Sequence, residues 1–271
     1  MKIAALQMVS TPDVARNLDT AAGLIDEAAR GGAELVALPE YFCLLGRRDT
    51  DKLAVAEDDG AGPIQQALAD SARRAKVWLV GGTLPMRTTD AKRVRNSCCV
   101  YAPDGKRIAR YDKIHLFAYD NGSEHYDEGR VLEAGETPVA FEALGLRVAL
   151  SVCYDLRFPE LYRALGRPPC DLLCVPSSFT YTTGLAHWHL LLRARAVENQ
   201  CYVIAPAQGG VHENGRRTYG HSMIVDPWGE VLAQRDEGVG VVFAELDPAR
   251  IQAVRQQLPA LAHRRIGLAG A

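Results

Sequence analysis

The sequence predicts an α/β fold, and three observations carry that expectation. Short apolar runs rich in Val, Ile and Leu alternate with longer segments of helical period. Hairpin turn signals interrupt that alternation, and no repeat, low-complexity tract or linker divides the chain, so residues 1–271 read as a single domain. Ile3 to Met8 is a strand by its apolar run. Val14, Leu18, Ala22, Ile25 and Ala29 then recur at helical spacing until Gly31-Gly32 stops the helix. Leu35 to Leu38 is a second, buried strand ending at Pro39-Glu40. Ile64 to Ala75 is helical, and Trp78 to Val80 is a strand running into Gly81-Gly82. Cys98 to Tyr101 and Arg107 to Tyr111 flank Pro103-Asp104-Gly105, a hairpin turn signal. The second half repeats the alternation: strand Arg147 to Val152, helix Glu160 to Leu165, strand Leu172 to Pro176, helix His187 to Asn199, strand Tyr202 to Ala207. Met223 to Val225, Val231 to Ala233 and Val241 to Glu245 follow as strands, separated by turn-forming residues.

Composition narrows the function classes. The 271 residues are 48% hydrophobic, with 31 basic against 33 acidic side chains and a net charge of -2, as in ordinary soluble globular proteins. Without a Lys/Arg block there is no electrostatic footprint for nucleic acid. No apolar stretch approaches the roughly 20 residues of a bilayer span. The N-terminus reads as a first strand rather than a signal peptide. Seven cysteines (43, 98, 99, 153, 170, 174 and 201) form no C-x-x-C unit, which favours neither a zinc site nor a disulfide framework and suits a reducing cytoplasm. Asn121-Gly122-Ser123 matches a glycosylation acceptor, without consequence in an intracellular chain.

Candidate chemistry gathers just past strand ends, where open α/β sheets leave a crevice. Cys153 follows the apolar Leu150-Ser151-Val152 and precedes polar residues and a turn. A thiol so placed projects into a crevice, with backbone N–H groups after it available to a developing oxyanion; the plain alternative is a buried cysteine acting as a small hydrophobe. Glu40 ends Leu38-Pro39-Glu40 at the mouth of a buried strand. Burial there would raise its pKa toward that of a general base, or a salt bridge would make it structural. Lys113, in Tyr111-Asp112-Lys113-Ile114-His115-Leu116-Phe117, is either a surface charge or a fixed cation that holds an oxyanion or lowers the thiol pKa. His187 and His189, two apart on a helix, do not share a metal-binding edge, and no metal is expected.

Those three contexts, in the order Glu40, Lys113, Cys153, resemble the glutamate, lysine and cysteine motifs of the nitrilase superfamily of carbon–nitrogen hydrolases, and the likeness runs from the first strand past Tyr219-Gly220-His221-Ser222-Met223-Ile224-Val225-Asp226-Pro227-Trp228-Gly229. Gly184-Leu185-Ala186-His187-Trp188 and Arg193 to Val203 are most similar to the ω-amidase and deaminated-glutathione amidase branch. The resemblance implies a four-layer αββα sandwich, a homodimer or higher homo-oligomer, and a Glu-Lys-Cys triad without metal or organic cofactor. It also implies a second glutamate that orients the lysine and the attacking water; Glu128 fits that position, with Glu124 as the alternative. His189 stands where relatives of this branch more often carry a glutamate.

The mechanism implied is proton transfer from Cys153 to Glu40 and thiolate attack on an amide carbonyl. The oxyanion would lie between Lys113 and the Tyr154 N–H. Ammonia would leave from a thioester that water, activated by Glu40 with Glu128, then hydrolyses. The branch resemblance suggests a short carboxylic acid carrying a terminal amide as the small-molecule partner, with no nucleic acid or membrane involved. Arg157 is the first candidate for holding its carboxylate, against an internal salt bridge to Glu160 or Asp155. Tyr181, Thr182, Thr183 and His189 complete the expected substrate contacts. A nitrile or N-carbamoyl amine could meet the same thiolate, and a binding or signalling protein retaining only the fold is the alternative from another class.

Overall fold

Seventeen strands and six helices are described over residues 1–266 of a computed structural model; the last five residues of the expected domain lie outside the described residues. The first half runs β1 (Lys2–Gln7), α1 (Val14–Arg30), β2 (Leu35–Ala37), α2 (Asp51–Ala54), α3 (Pro63–Ala75), β3 (Trp78–Val80), β4 (Leu84–Arg87), β5 (Val94–Tyr101) and β6 (Arg107–Asp112). A small hairpin follows, β7 (Ala118–Asp120) and β8 (His125–Asp127), then β9 (Ala140–Ala143), β10 (Leu146–Leu150), α4 (Pro159–Leu165), β11 (Leu172–Cys174), α5 (Tyr181–Asn199) and β12 (Tyr202–Ala205). The chain continues through β13 (Gly209–Val211), β14 (Arg217–Tyr219), β15 (Ser222–Val225), β16 (Val231–Arg235), β17 (Gly240–Glu245) and α6 (Pro248–Gln257).

Two large sheets form the centre. One is ordered β17-β1-β2-β3-β5-β4 with β6 paired to β5, the other β16-β15-β12-β11-β10-β9. Each holds a parallel run, β1-β2-β3 and β10-β11-β12. Strand periodicity of two explains the layering. In β1, Ile3 and Ala5 join a core shared with Val148, Leu150, Leu172 and Cys174 of the second sheet, whereas Ala4 and Leu6 pack with Leu24, Ile25, Leu68 and Ala72 of α1 and α3. Trp78 of one sheet stacks on Phe141 of the other, 6.5 Å between ring centroids. Leu161, Tyr162, Trp188 and Leu192 of α4 and α5 belong to the second sheet's core. The result is the αββα order, and burial on both faces explains why the central strands read as continuous apolar runs.

Sequence periodicity misses elements that are short or polar. The hairpin β7-β8 turns at Asn121-Gly122, a pair with hairpin chemistry that the glycosylation pattern obscures. Helix α5 begins at Tyr181, six residues before the expected start, because Thr180 caps it by accepting a hydrogen bond from the Thr183 N–H. Gly184 inside that helix is required by packing, since a Cβ there would lie 2.3 Å from Tyr219. Helix α6 carries too few apolar residues to announce itself; only Ile251 and Val254 are buried.

Candidate active site

Three strand ends converge on one buried cluster. Glu40 follows β2, Lys113 follows β6, and Cys153 follows β10 by three residues. Each approach is fixed locally. Tyr41, next to Glu40, is held in the left-handed region (φ 57°), and its N–H donates to Thr83 Oγ1 at 2.8 Å. Gly82 permits the close pass of that segment: its φ is +59°, and a Cβ would stand 2.2 Å from the Pro39 carbonyl oxygen. Cys153 also sits at positive φ (51°), opening a 3-10 turn over Cys153–Arg157. Strain at a non-glycine residue persists only where surroundings over-determine it. Here the Cys153 N–H donates to Pro176 O at 3.0 Å, and the buried Asp155 carboxylate accepts from the Val152 N–H at 2.8 Å, the Tyr111 hydroxyl at 2.6 Å and the His115 N–H at 3.0 Å. Asp155 thereby ties the segment after Lys113 to the turn that carries the thiol.

Within the cluster, Glu40 is 1% exposed. Its Oε1 accepts from Lys113 Nζ and Asn96 Nδ2, both at 2.8 Å, and its Oε2 accepts from the Ser178 N–H at 2.9 Å. Lys113 donates a second bond to Glu128 Oε2 at 2.8 Å, an oxygen that also accepts from the Phe117 N–H at 2.7 Å, while Glu128 Oε1 accepts from the Tyr41 hydroxyl at 2.7 Å. Glu128 rather than Glu124 thus meets the lysine; Glu124 Oε2 accepts from Thr182 Oγ1 at 2.8 Å.

Burial and charge set the protonation states. Burial raises the Glu40 carboxyl above its ordinary range despite the opposing Lys113 ammonium, and the Glu128 charge adds to the rise. Burial also acts on Glu128, but Lys113 and the Phe117 and Tyr41 donors outweigh it and hold this carboxyl low. For Lys113 burial is opposed by Glu128 and Glu40, and the ammonium is held well above the usual lysine range. The Cys153 thiol is pushed well up, by burial first and the Glu40 charge second, more than Lys113 can offset. Lowering of the thiol pKa by Lys113, one of its expected roles, therefore loses to burial. The resting sulfur is a neutral thiol beside a carboxylate able to take its proton.

A narrow cleft opens onto the sulfur, lined by Phe117, Cys153, Tyr154, Arg157, Ser178, Phe179, Thr180 and Thr183. A family model described as carbon-nitrogen hydrolase matches residues 2–256. The chain belongs to the carbon-nitrogen hydrolase family. Deaminated glutathione amidase of Synechocystis sp. is 45% identical over 265 residues, which span 96% of this chain and 97% of that protein. Omega-amidase NIT2 of Bos taurus is 35% identical over 268 residues, 98% and 96% of the two chains. Among solved structures, Saccharomyces cerevisiae Nit3, of the nitrilase superfamily, superposes with a TM-score of 0.89 at 33% identity over 98% of this chain and 97% of its own. The C. elegans NitFhit protein gives 0.88 at 38% identity, covering 97% of this chain and 65% of that one. These similarities make the chain an enzyme of the nitrilase superfamily with an amidase function.

In this carbon-nitrogen hydrolase the expected substrate contacts divide. Arg157 and Thr183 line the cleft, whereas Tyr181, Thr182 and His189 do not. Thr183, Gly184 and Trp188 of α5 are buried, whereas Thr182 is exposed and Tyr181 and His189 are half-buried. Tyr181 lies under the Arg217 guanidinium, and His189 Nε2 meets Gln234 Oε1 at 2.7 Å among the rings of Tyr219 and His221. Arg157 forms no ion pair with Glu160 or Asp155; its Nη1 meets His187 Nδ1 at 3.1 Å, and its guanidinium lies near the rings of Tyr154 and Phe179. Tyr154 packs edge-on against Phe117. Its N–H lies in the first turn of the 3-10 segment, where backbone donors have no acceptor inside the helix. Sequence reasoning passed over Asn96, Tyr41 and the Ser178 N–H. Only Tyr41 had a visible cue, its place beside Glu40. Among the described residues no helix is long and apolar enough to cross a membrane.

Proposed function

We propose that the protein hydrolyses the amide bond of a small carboxylate-bearing acid amide, of the ω-amidase or deaminated glutathione amidase type, with Glu40, Lys113 and Cys153 as its catalytic triad. The observation that carries this reading is the hydrogen-bonded Glu40–Lys113–Glu128 cluster around a thiol at the base of a cleft that also holds Arg157. Glu40 takes the thiol proton as sulfur bonds to the carbonyl carbon. Lys113 has three N–H donors and directs two at carboxylates, so the third, with the Tyr154 N–H, is available to the oxyanion. The C–N bond then breaks, and Glu40 returns the proton to the leaving amine, which is ammonia from a primary amide. Water attacks the resulting thioester, giving its proton to Glu40 while Glu128 keeps Lys113 and the water aligned. The C–S bond breaks, and the proton goes back to the sulfur.

Arg157 supports the carboxylate requirement. It reaches the cleft with no carboxylate partner among the described residues, and a guanidinium can take a substrate carboxylate in two parallel bonds. No step needs a metal or organic cofactor. We further propose one domain over the chain, a cytoplasmic location and a homo-oligomeric assembly, each resting on the family likeness.

The deciding experiment is mass spectrometry of wild type quenched in acid during turnover, beside Cys153→Ala under the same conditions. A mass increase equal to the acyl group, on the Cys153 peptide of wild type alone, is expected. Turnover of acid amides without any such adduct, and with full activity in the alanine variant, would refute the mechanism. A panel of amides, nitriles and N-carbamoyl amines, scored by amine or ammonia release, fixes which bond is cleaved.

A further inference from the structure

The wall of the cleft carries a hydroxyl that the fold leaves unengaged. Ser178 lines the cleft beside Cys153 and is 7% exposed, yet its Oγ has no hydrogen-bond partner among the described residues. A buried hydroxyl without a partner is costly, so one retained beside a nucleophile points to a bond made during the reaction.

Loose packing does not account for it. Neighbouring hydroxyls are satisfied: Ser177 Oγ donates to Val175 O at 2.9 Å, and Thr180 Oγ1 and Thr183 Oγ1 share a bond of 2.8 Å. The backbone is fixed on both sides of Ser178. The Ser177 N–H donates to Pro206 O and its carbonyl accepts from the Gln208 N–H, both at 2.9 Å, while Phe179 O accepts from the Tyr219 N–H at 2.9 Å. Of the buried polar side-chain atoms without a partner among the described residues, Ser178 Oγ alone belongs to a residue lining this cleft.

Glu40 shows what that hydroxyl stands beside. A carboxylate offers about four acceptor positions. Lys113 and Asn96 take the two on Oε1, and the Ser178 N–H takes one on Oε2. The position left for a travelling proton is therefore on Oε2, the oxygen that the Ser178 backbone holds. Ser178 thus binds the base through its N–H and carries a free hydroxyl a few bonds from the oxygen that exchanges protons.

We infer that Ser178 is a further catalytic residue, whose Oγ accepts a hydrogen bond from the group that exchanges a proton with Glu40 Oε2. In acylation that group is the amide nitrogen. Glu40 delivers a proton to it as the C–N bond breaks, and Ser178 accepts from an N–H that the nitrogen already carries, which turns its lone pair toward the carboxyl proton. In deacylation the group is water. One of its protons passes to Glu40, the other is held by Ser178 Oγ, and an oxygen lone pair is left facing the thioester carbon. The serine gains and loses no proton. This deepens the amidase reading and rests on it.

The test compares Ser178→Ala with wild type on the amide of the panel that wild type hydrolyses fastest. Loss of a bond made in both transition states should lower kcat and kcat/KM about threefold to tenfold, with KM changed less than about twofold. Two further readouts separate this role from a structural one. The thermal midpoint should hold or rise, because the substitution removes a buried hydroxyl that has no partner in the fold. Modification of Cys153 by methyl methanethiolsulfonate needs the thiol and its base but no amine or water, so its rate, read on the Cys153 peptide, should stay within about twofold. Ser178→Gly also lacks the hydroxyl, is read in the same way and decides the matter if the alanine variant does not fold. Unchanged kcat and kcat/KM, or a fall matched by slower thiol modification or a lower thermal midpoint, overturns the serine's role alone. A wild type that hydrolyses none of the amides overturns the amidase reading and this role with it.

Discussion

The cluster around Cys153 and the Arg157 cation at its rim carry charge under opposite regimes. Lys113 is fully buried, and each of its carboxylate partners is held by further donors. Arg157, which lines the cleft, is half-buried and rests near aromatic faces without a carboxylate. Buried charge is tolerable only when paired and hydrogen-bonded, so the interior set is over-connected and fixed in geometry. Rim cations keep part of their hydration and leave donors free, which suits groups that must exchange water for a substrate.

Several measurements would break or sharpen that contrast. The largest effect is expected at the sulfur: Cys153→Ala should remove turnover entirely, while a thermal melt shows a retained fold. Detectable hydrolysis in that variant would deny the thiol its role. Lys113→Met should cost about 3–5 kcal/mol in urea unfolding as well as activity, because two carboxylates lose their buried partner. Arg157→Gln should leave stability within about 0.5 kcal/mol, yet lower kcat/KM about tenfold to a hundredfold, chiefly through KM. If both variants lose stability alike, the interior and the rim are not distinct.

The pH profile gives a finer test. Glu40 must be ionised to accept the thiol proton, and burial raises its pKa, so kcat/KM should fall on acidification with a limb above the ordinary value of 4.5. Asn96 donates to the ionised form of that carboxylate; Asn96→Ala should therefore move the acid limb to still higher pH. A limb that stays in place would separate Asn96 from the base. The smallest effect is expected at His189. Because its ring bonds Gln234 away from the cleft, His189→Glu should leave the ranking of substrates unchanged to within about twofold and stability within about 0.5 kcal/mol.

Much of the site was legible before any coordinates, for local reasons. Glu40 and Cys153 follow apolar strands and Lys113 follows the polar β6, Arg107–Asp112; each is a weak signal alone, and their order along the chain, which resembles three family motifs, marks them together. The region after β11 was legible only in part: a helix expected from His187 starts at the Thr180 cap, and Tyr181, Thr182 and His189 do not line the cleft. Asn96, inside β5 and only 2% exposed, gave no local signal, since a strand asparagine is chemically mute until its partner is known.

By itself, the sequence determined the layered α/β class, because alternation, caps and turn chemistry act over a few neighbouring positions, and its resemblance to three family motifs marked Glu40, Lys113 and Cys153 as candidates. Only the tertiary structure decided that Glu128 and not Glu124 meets the lysine, that the Ser178 amide reaches back 138 residues to Glu40, and that Arg157 lines the cleft beside His187 rather than a carboxylate. Those outcomes depend on how two sheets and their connecting loops close against each other, and a desolvated charge finds its partner in space rather than along the chain.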